Sequence, residues 1–233
     1  MKPLLRVETD AKGKFVERPN RFLGIVNIDG KEEEVHVRDP GRLEEILYEG
    51  NEVLLKKAEN KNRKTKWDLI AGKVKDNWIF INSGYHRKIV ENVLSDEEIS
   101  PYTDVDNIAP EVKLGDSRID FLLEKDDEKI WTEVKGCTLA EGGAALFPDA
   151  PTERGTRHVE ELREVMENGD RAALLILVFR PDVKCFAPKE DTDPEFAEAF
   201  RKAQMEGMEV HPLQFKFKSG TLYYKKRIPV CSP

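Results

Sequence analysis

Two carboxylates and a lysine lie where a β-hairpin would bring them together. Asp120 belongs to one run of alternating apolar and polar residues, and Glu133 and Lys135 belong to a second. The polar segment 125–128 separates the runs, a pattern typical of a β-hairpin. With the turn centred in that segment, Asp120 faces Glu133, and alternation along the strand places Lys135 on the same face. Directly opposed like charges are destabilising, so the arrangement favours a bound cation.

The other face of the predicted hairpin is mainly apolar. It would carry Ile119, Phe121, Leu123, Thr132 and Val134. Antiparallel hairpins commonly cover a core with one face and expose the other to water. A solvent-facing polar surface is therefore the alternative to a metal site, and spacing by itself leaves both open.

Phosphodiester hydrolysis is the chemistry that these residue types would serve. Mg²⁺ or Mn²⁺ would bind the carboxylates of Asp120 and Glu133 and the backbone carbonyl of Val134. The metal would polarise a phosphoryl oxygen and lower the pKa of an attacking water. Lys135 would stabilise the developing negative charge, and Arg118, predicted opposite Lys135, would contact phosphate.

The distribution of charge is more informative than its total. The chain has 233 residues, of which 36% are charged and 39% hydrophobic, and its formal net charge is −7. Residues 1–85 contain 17 Lys and Arg against 15 Asp and Glu, whereas the remainder contains 21 against 30. The net charge argues against nucleic-acid binding, but the positive charge is concentrated in the N-terminal part.

Neither a membrane segment nor a disulfide framework is expected. The longest apolar run is too short to span a bilayer, and the first residues lack the apolar region of a signal peptide. Cys137, Cys185 and Cys231 are widely spaced and form no CxxC motif, so reduced thiols are the simplest prediction. We therefore expect a cytoplasmic protein with no membrane partner.

The apolar patterning predicts two domains, residues 1–85 and 86–233. Short runs punctuated by glycine predict a small OB-like β-barrel in the first domain. These runs are Phe22–Ile28, Glu34–Val37, Glu52–Leu55, Trp67–Val74 and Trp78–Ile81. One helix is expected within the barrel over residues 39–47, where Asp39 would be the N-cap. The second domain is predicted to be α/β, with helices near 87–94, 156–166 and 194–206.

A basic run in the first domain suggests a nucleic-acid surface. It ends at Trp67 and contains Lys61, Arg63, Lys64 and Lys66. Basic residues beside an aromatic ring on a small barrel suit backbone contacts and base stacking, although such a run is usually a solvated loop. Arg21, Phe22 and Arg42 would extend the surface, with barrel packing or solvent exposure as the alternative. Binding through these charges would be largely independent of DNA sequence.

The predicted helix after the hairpin begins with several polar residues. Arg154, Arg157 and His158 crowd its N-terminus, where a phosphate would be favoured. An arginine there is unfavourable unless an anion compensates it. For His158 the alternative is an ordinary exposed helix face.

Several motifs together resemble those of one family. They comprise residues 18–22, 39–43, 115–121, 131–136, 147–155 and 157–162. Segments 115–121 and 133–136 resemble the core of the PD-(D/E)XK nuclease superfamily, and the whole set is similar to the sugar fermentation stimulation protein (SfsA) family. The resemblance implies an OB-like barrel followed by a nuclease-like α/β domain with a mixed central sheet. It also implies DNA binding linked to regulation of sugar metabolism genes. Asp39 departs from the pattern, since many members carry Asn there.

Three hypotheses about function follow from these patterns. The first is a DNA-binding protein with a divalent-metal nuclease site. The second is a non-catalytic DNA-binding transcriptional regulator that uses the nuclease fold as a scaffold. The third is a protein-interaction module, favoured by the acidity of residues 86–233. The sequence leaves open the strandedness of the DNA, whether the DNA is cut and whether the protein is a homodimer.

Overall fold

Strands dominate the computed structural model, which describes residues 1–60, 62–115 and 117–232. The strands are β1 (Lys2–Arg6), β2 (Ala11–Asn20), β3 (Leu23–Ile28), β4 (Lys31–His36), β5 (Glu52–Lys57), β6 (Trp67–Val74), β7 (Asn77–Phe80), β8 (Asn107–Leu114), β9 (Ser117–Lys125), β10 (Glu128–Cys137), β11 (Ala140–Glu141), β12 (Ala144–Phe147), β13 (Arg171–Val178), β14 (Cys185–Pro188), β15 (Glu209–Lys218) and β16 (Thr221–Arg227). The helices are α1 (His86–Leu94), α2 (Glu153–Glu167) and α3 (Pro194–Met205), and a 3₁₀ turn at Ser83–Tyr85 precedes α1. These helices confirm the three predicted for the second domain.

A closed five-stranded barrel forms the N-terminal part of the protein. Its strands follow the order β4-β3-β2-β5-β6, and parallel pairing of β4 with β6 closes the ring. The predicted OB-like barrel is therefore confirmed. Strand β2 was not among the predicted strands, because only Gly13 and Phe15 of its ten residues are buried. Its place in the barrel comes from hydrogen bonds to β3 and β5, which leave no mark in the apolar pattern.

Residues 39–47 form turns, so the helix predicted there is wrong. Leu43 has a φ of 55°, in the left-handed region that an α-helix excludes. The Arg18 guanidinium donates to the carbonyl oxygens of Gly41 and Arg42 at 2.6 and 2.7 Å. These carbonyls are thus held by a side chain from β2 instead of by helical N–H groups. A contact distant in sequence overrides the local helix-start signal.

A mixed sheet forms the α/β part, as the family resemblance implies. Its order is β15-β13-β10-β9-β8, with β13 parallel to β10 and β15, and β9 antiparallel to β8 and β10. Strand β7 pairs with both β6 and β15, so the sheet continues from the barrel. Strand β1 pairs with β16 near the other end of the chain. The predicted division between residues 85 and 86 stays a prediction.

The two faces of this sheet bury different elements. Strand β13 is buried along nearly its whole length, with alternate residues in two separate apolar clusters. The first cluster contains the barrel core and the apolar face of α1, and the second contains the apolar faces of α2 and α3. Burial of both faces explains the continuous apolar run of β13.

The predicted hairpin has the expected register. Glu128 pairs with Lys125 and Thr132 with Phe121, so the turn is centred where the polar segment predicts it. One prediction about its apolar face is wrong, because Ile119 packs in the second cluster while Phe121 packs in the first. Glu111 on β8 lies opposite Asp120, the residue between those two, and has a φ of 54°. Glu111 therefore departs from extended backbone beside the break in alternation.

A disulfide joins Cys185 to Cys231, with their Cα atoms 5.0 Å apart. The prediction of three reduced thiols is therefore wrong for this pair, while Cys137 is free and buried. The fold brings the pair together because Val230 bridges to Phe186 on β14. Strand β14 itself belongs to a small sheet with β11 and β12. None of the described helices is long and apolar enough to cross a membrane.

Candidate metal centre and its cleft

A cleft of about 780 Å³ separates the barrel from the α/β part. The predicted catalytic and metal residues line it: Asp120, Glu133, Val134 and Lys135. The predicted nucleic-acid residues Arg21, Phe22 and Arg154 line it as well. The tertiary structure thus brings residues from the barrel, the hairpin and α2 to one site.

Glu133 is the most enclosed carboxylate of the cleft, at 2% exposure. Its Oε1 accepts hydrogen bonds from Lys135 Nζ at 2.7 Å and from His158 Nδ1 at 2.5 Å. Burial works to raise the pKa of Glu133, but Lys135 and His158 outweigh it and hold that pKa below its ordinary value. Glu133 is therefore ionised at neutral pH. Its other oxygen, Oε2, is buried and has no hydrogen-bond partner among the described residues.

Asp120 lies beside Glu133 in a different electrostatic state. Its Oδ2 accepts a hydrogen bond from the backbone N–H of Val134 at 2.8 Å. Burial, and after it the charge of Glu133, raises the pKa of Asp120 to about 6. Burial and the closeness of the two carboxylates thus make it costly for both to be ionised together.

The donor set fits a hard divalent cation. Carboxylate oxygens are the ligands that Mg²⁺, Mn²⁺ and Ca²⁺ prefer, and the unpartnered Oε2 of Glu133 is a ready lone-pair donor. No group of three or more His, Cys, Asp or Glu side chains within the described ranges is arranged to hold a metal. Asp120 and Glu133 would thus leave several positions for backbone oxygen, water or substrate.

Helix α2 packs behind Glu133 and contributes His158 to its hydrogen bonds. His158 is 1% exposed, and its Nε2 lies 3.3 Å from Arg154 Nε. Nδ1 therefore faces the carboxylate, and Nε2 accepts from the Arg154 guanidinium. His158 is buried and holds the Glu133 carboxylate, and its predicted contact with nucleic acid stays a prediction. Thr152 caps α2 by accepting from the Gly155 N–H at 3.0 Å.

Other predicted site residues lie outside the cleft lining. Arg118 pairs with Glu111 at 3.2 Å, and Arg157 donates to Ser117 Oγ at 3.3 Å. Arg42 is exposed on the turn after β4. The Arg42 carbonyl accepts a hydrogen bond from the Arg18 side chain of β2.

The basic run forms part of a second, smaller groove of about 480 Å³. Arg63 lines this groove and pairs with Asp68 at 2.9 Å, while Lys57 lies over the Trp67 ring. Lys64 and Lys66 precede β6 on the same segment. Lys61 lies outside the described residues.

Sequence reasoning missed several residues of the cleft, above all His86. Its ring packs so closely on Gly136 that a Cβ there would lie 2.4 Å from His86 Cε1. Burial lowers the pKa of His86 to about 4, so it is neutral at physiological pH. Its Nε2 is buried with no partner in the part of the chain that the structure describes. No local pattern marks His86, because its role depends on a strand some 50 residues later.

Comparison with known proteins decides the family. The profile of the SfsA N-terminal OB domain matches residues 16–81, and that of the sugar fermentation stimulation protein RE domain matches residues 84–221. A sugar fermentation stimulation protein homolog from Methanococcoides burtonii is 47% identical over 98% of this chain and 95% of its own length. The chain belongs to the SfsA family.

Other SfsA proteins match over the same extent. A homolog from Thermotoga neapolitana is 42% identical, covering 97% of this chain and 98% of its own. The solved structure of Pyrococcus furiosus SfsA in complex with Ca²⁺ is 28% identical, with a TM-score of 0.93 over the full length of both chains. The barrel and the α/β part described above are therefore the shared architecture of SfsA proteins.

Proposed function

We propose that this protein is a divalent-metal-dependent nuclease that acts on DNA. The carrying observation is the buried Glu133 carboxylate, whose Oε2 has no partner among the described residues, beside an Asp120 whose pKa is raised to about 6. A buried polar atom without a hydrogen-bond partner is costly, and a cation bound between the two carboxylates would satisfy it. The Ca²⁺ complex of Pyrococcus furiosus SfsA supports a cation in this family.

The residues around the pair have distinct proposed roles. Mg²⁺ or Mn²⁺, when bound, would supply Lewis-acid chemistry and an acidified water. Asp120, Glu133 and the Val134 carbonyl would hold it. Lys135, 13% exposed in its side chain, would stabilise negative charge developing on the phosphate. His86 is neutral, its Nε2 has no partner among the described residues, and it would accept or donate a hydrogen bond beside Gly136.

Regulation of sugar metabolism genes is the second candidate function. The name shared by the curated relatives favours it, and the same cleft would then bind DNA without cutting it. Binding through the arginines of the cleft would be largely independent of sequence and would weaken steeply with salt. Cleavage measurements distinguish the two candidates.

Calorimetric titration with Mn²⁺ tests the metal site directly. We expect the wild type to bind Mn²⁺, and Asp120→Asn and Glu133→Gln to lose most of that binding because each removes a charged ligand. Asp127→Asn, an exposed change in the turn of the same hairpin, is the matched control and should bind normally. Equal Mn²⁺ binding by Glu133→Gln and the wild type would contradict the assignment.

DNA cleavage in Mn²⁺ tests the reaction itself. The wild type and Asp127→Asn should cut, while Asp120→Asn, Glu133→Gln and Lys135→Ala should be slowed by about 100-fold or more, as expected when a group that stabilises transition-state charge is lost. Metal binding with no cleavage of single-stranded, duplex or branched DNA would favour the regulator instead.

A further inference from the structure

The depth and walls of the cleft restrict the DNA that can reach the metal centre. We infer that the cleft takes an unpaired DNA strand, and that this strand reaches the cleft along the groove beside the basic run of the barrel. This inference rests on the proposed function, because it names the substrate of that site.

The position of the carboxylates is the first reason. Glu133 is 2% exposed and is reached through the cleft, so a scissile phosphate has to enter it. The cleft volume of about 780 Å³ is within the roughly 300–1,000 Å³ of pockets that enclose small ligands. An intact double helix, with its base pairs between two backbones, is too large for such a space. One or two nucleotides of a single strand are of the right size.

Phe22 is the second reason. It lines the cleft and is 50% exposed, although an aromatic side chain normally gains by burial. Its backbone is held on both sides: its N–H donates to Asn20 Oδ1 at 3.0 Å, and its carbonyl accepts from the Val37 N–H at 3.0 Å. The ring therefore projects from a fixed turn. Unpaired bases stack on such a ring, whereas paired bases already cover one another's faces.

Arg38 is the third reason, because it lines both grooves. In the cleft it lies with Arg21 and Arg87, and in the smaller groove with Lys56 and Lys57. The two grooves also meet along the 3₁₀ turn that precedes α1. Cationic side chains thus line a path from the barrel surface to the metal centre, with Glu59 and Asp68 beside them in the smaller groove. A single strand is flexible enough to follow this path, which turns between two parts of the molecule.

Acidic side chains in the cleft sharpen the requirement for these cations. Asp39 and Asp149 line it together with the metal-site carboxylates. They repel phosphate, so strand binding depends on the arginines and on the aromatic platform rather than on a general positive field. Loss of one arginine or of the aromatic platform should therefore measurably weaken strand binding.

Fluorescence anisotropy in EDTA is the test, with a labelled oligothymidylate of about 12 nucleotides, near the upper site size of OB-fold proteins. A blunt duplex of equal length is the comparison. The wild type should bind the single strand at least about 10-fold more tightly than the duplex. Phe22→Ala should weaken single-strand binding on the order of 10-fold, the loss of one stacked base. Arg38→Gln should weaken it as well.

Tyr48→Ala is the matched control. Tyr48 is another aromatic residue of the barrel, 53% exposed, that is not among the described residues lining either groove. Its loss should leave binding unchanged. Equal affinity for single strand and duplex, or equal effects of Phe22→Ala and Tyr48→Ala, would overturn the inference. Mn²⁺ titration without DNA tests the metal centre separately, so failure of one idea is distinguishable from failure of the other.

Discussion

Single residues in this protein carry charges that the fold makes costly. Asp39 lies at the edge of the cleft, where its Oδ1 accepts from the Gly41 N–H at 2.8 Å. Burial, and after it the charge of Asp149, raises the pKa of Asp39 to about 6 from the ordinary 3.8. At neutral pH the folded protein therefore holds a carboxylate that the unfolded chain ionises more easily.

Asp39→Asn should stabilise the protein at pH 7 and much less in acid. Below about pH 4 the Asp39 carboxyl is protonated in both the folded and the unfolded state, so its raised pKa costs no stability. Above about pH 6 it is ionised in both states, and the full cost is present. Asparagine keeps the oxygen that Gly41 requires and removes the charge. We expect the free energy of unfolding to rise by about 1–3 kcal/mol at pH 7, from a pKa shift of some two units. Urea unfolding at pH 7 and pH 4 measures the difference.

The exposed substitution Asp127→Asn is the control for that experiment. It removes the same charge from the hairpin turn and should change stability by less than about 0.5 kcal/mol at either pH. A loss of stability by Asp39→Asn at pH 7 would show that the Asp39 carboxylate is favourably paired, contrary to the pKa argument.

At the scale of the secondary-structure element, helix α2 positions the proposed metal centre. It crosses the face of the sheet next to β10 and β13, so that His158 meets Glu133 from behind while Arg154 reaches the cleft. Its own position depends on Thr152, whose N–H donates to Asp193 Oδ2 at 2.7 Å, and Asp193 also caps α3. The two helix N-termini are thus tied together beside the site.

His158→Ala should weaken Mn²⁺ binding by about 10- to 100-fold, given the proposed metal site. Partners of ligating groups orient their lone pairs, and their loss typically has an effect of this size. Calorimetric titration measures it, with Glu164→Ala on the exposed face of the same helix as the control. His158→Gln, which retains a donor, should recover part of the affinity. Unchanged Mn²⁺ affinity in His158→Ala would remove the proposed positioning role.

At the scale of the whole molecule, a disulfide fastens the C-terminal segment. Cys185 and Cys231 are 46 residues apart, so the bond restricts a long loop in the unfolded chain. Val230 and Phe186 already bring the two strands together in the folded protein. The bond adds stability to an arrangement that the packing selects.

Replacing both cysteines by serine should lower the free energy of unfolding by about 2–4 kcal/mol. Thermal melting with and without a reductant measures the effect. The wild type should melt at a lower temperature when reduced, whereas the double variant should melt at the same temperature in both conditions. A wild-type melting temperature that reduction does not change would show that the bond contributes no stability.

Much of the fold was predictable where local patterns agree with tertiary packing. The hairpin register followed from alternation and a polar turn, and the α3 N-cap Asp193 followed from its Asp-Pro signal. The turns at 39–47 were not predictable, because Arg18 takes carbonyl oxygens that a helix would need. The disulfide was hidden for a related reason, since its cysteines are adjacent only after the last strands fold.

The sequence by itself determined which side chains meet at the proposed site. Alternation on a hairpin brings Asp120, Glu133 and Lys135 to one site, because side-chain direction along a strand is a local property of the backbone. Only the tertiary structure decided the state of these groups. Burial and the hydrogen bond from His158 shift the pKa values of the two carboxylates, and both depend on elements far apart in sequence. The cleft depends likewise on how Phe22 and Arg38 of the barrel face the hairpin, which no local pattern encodes.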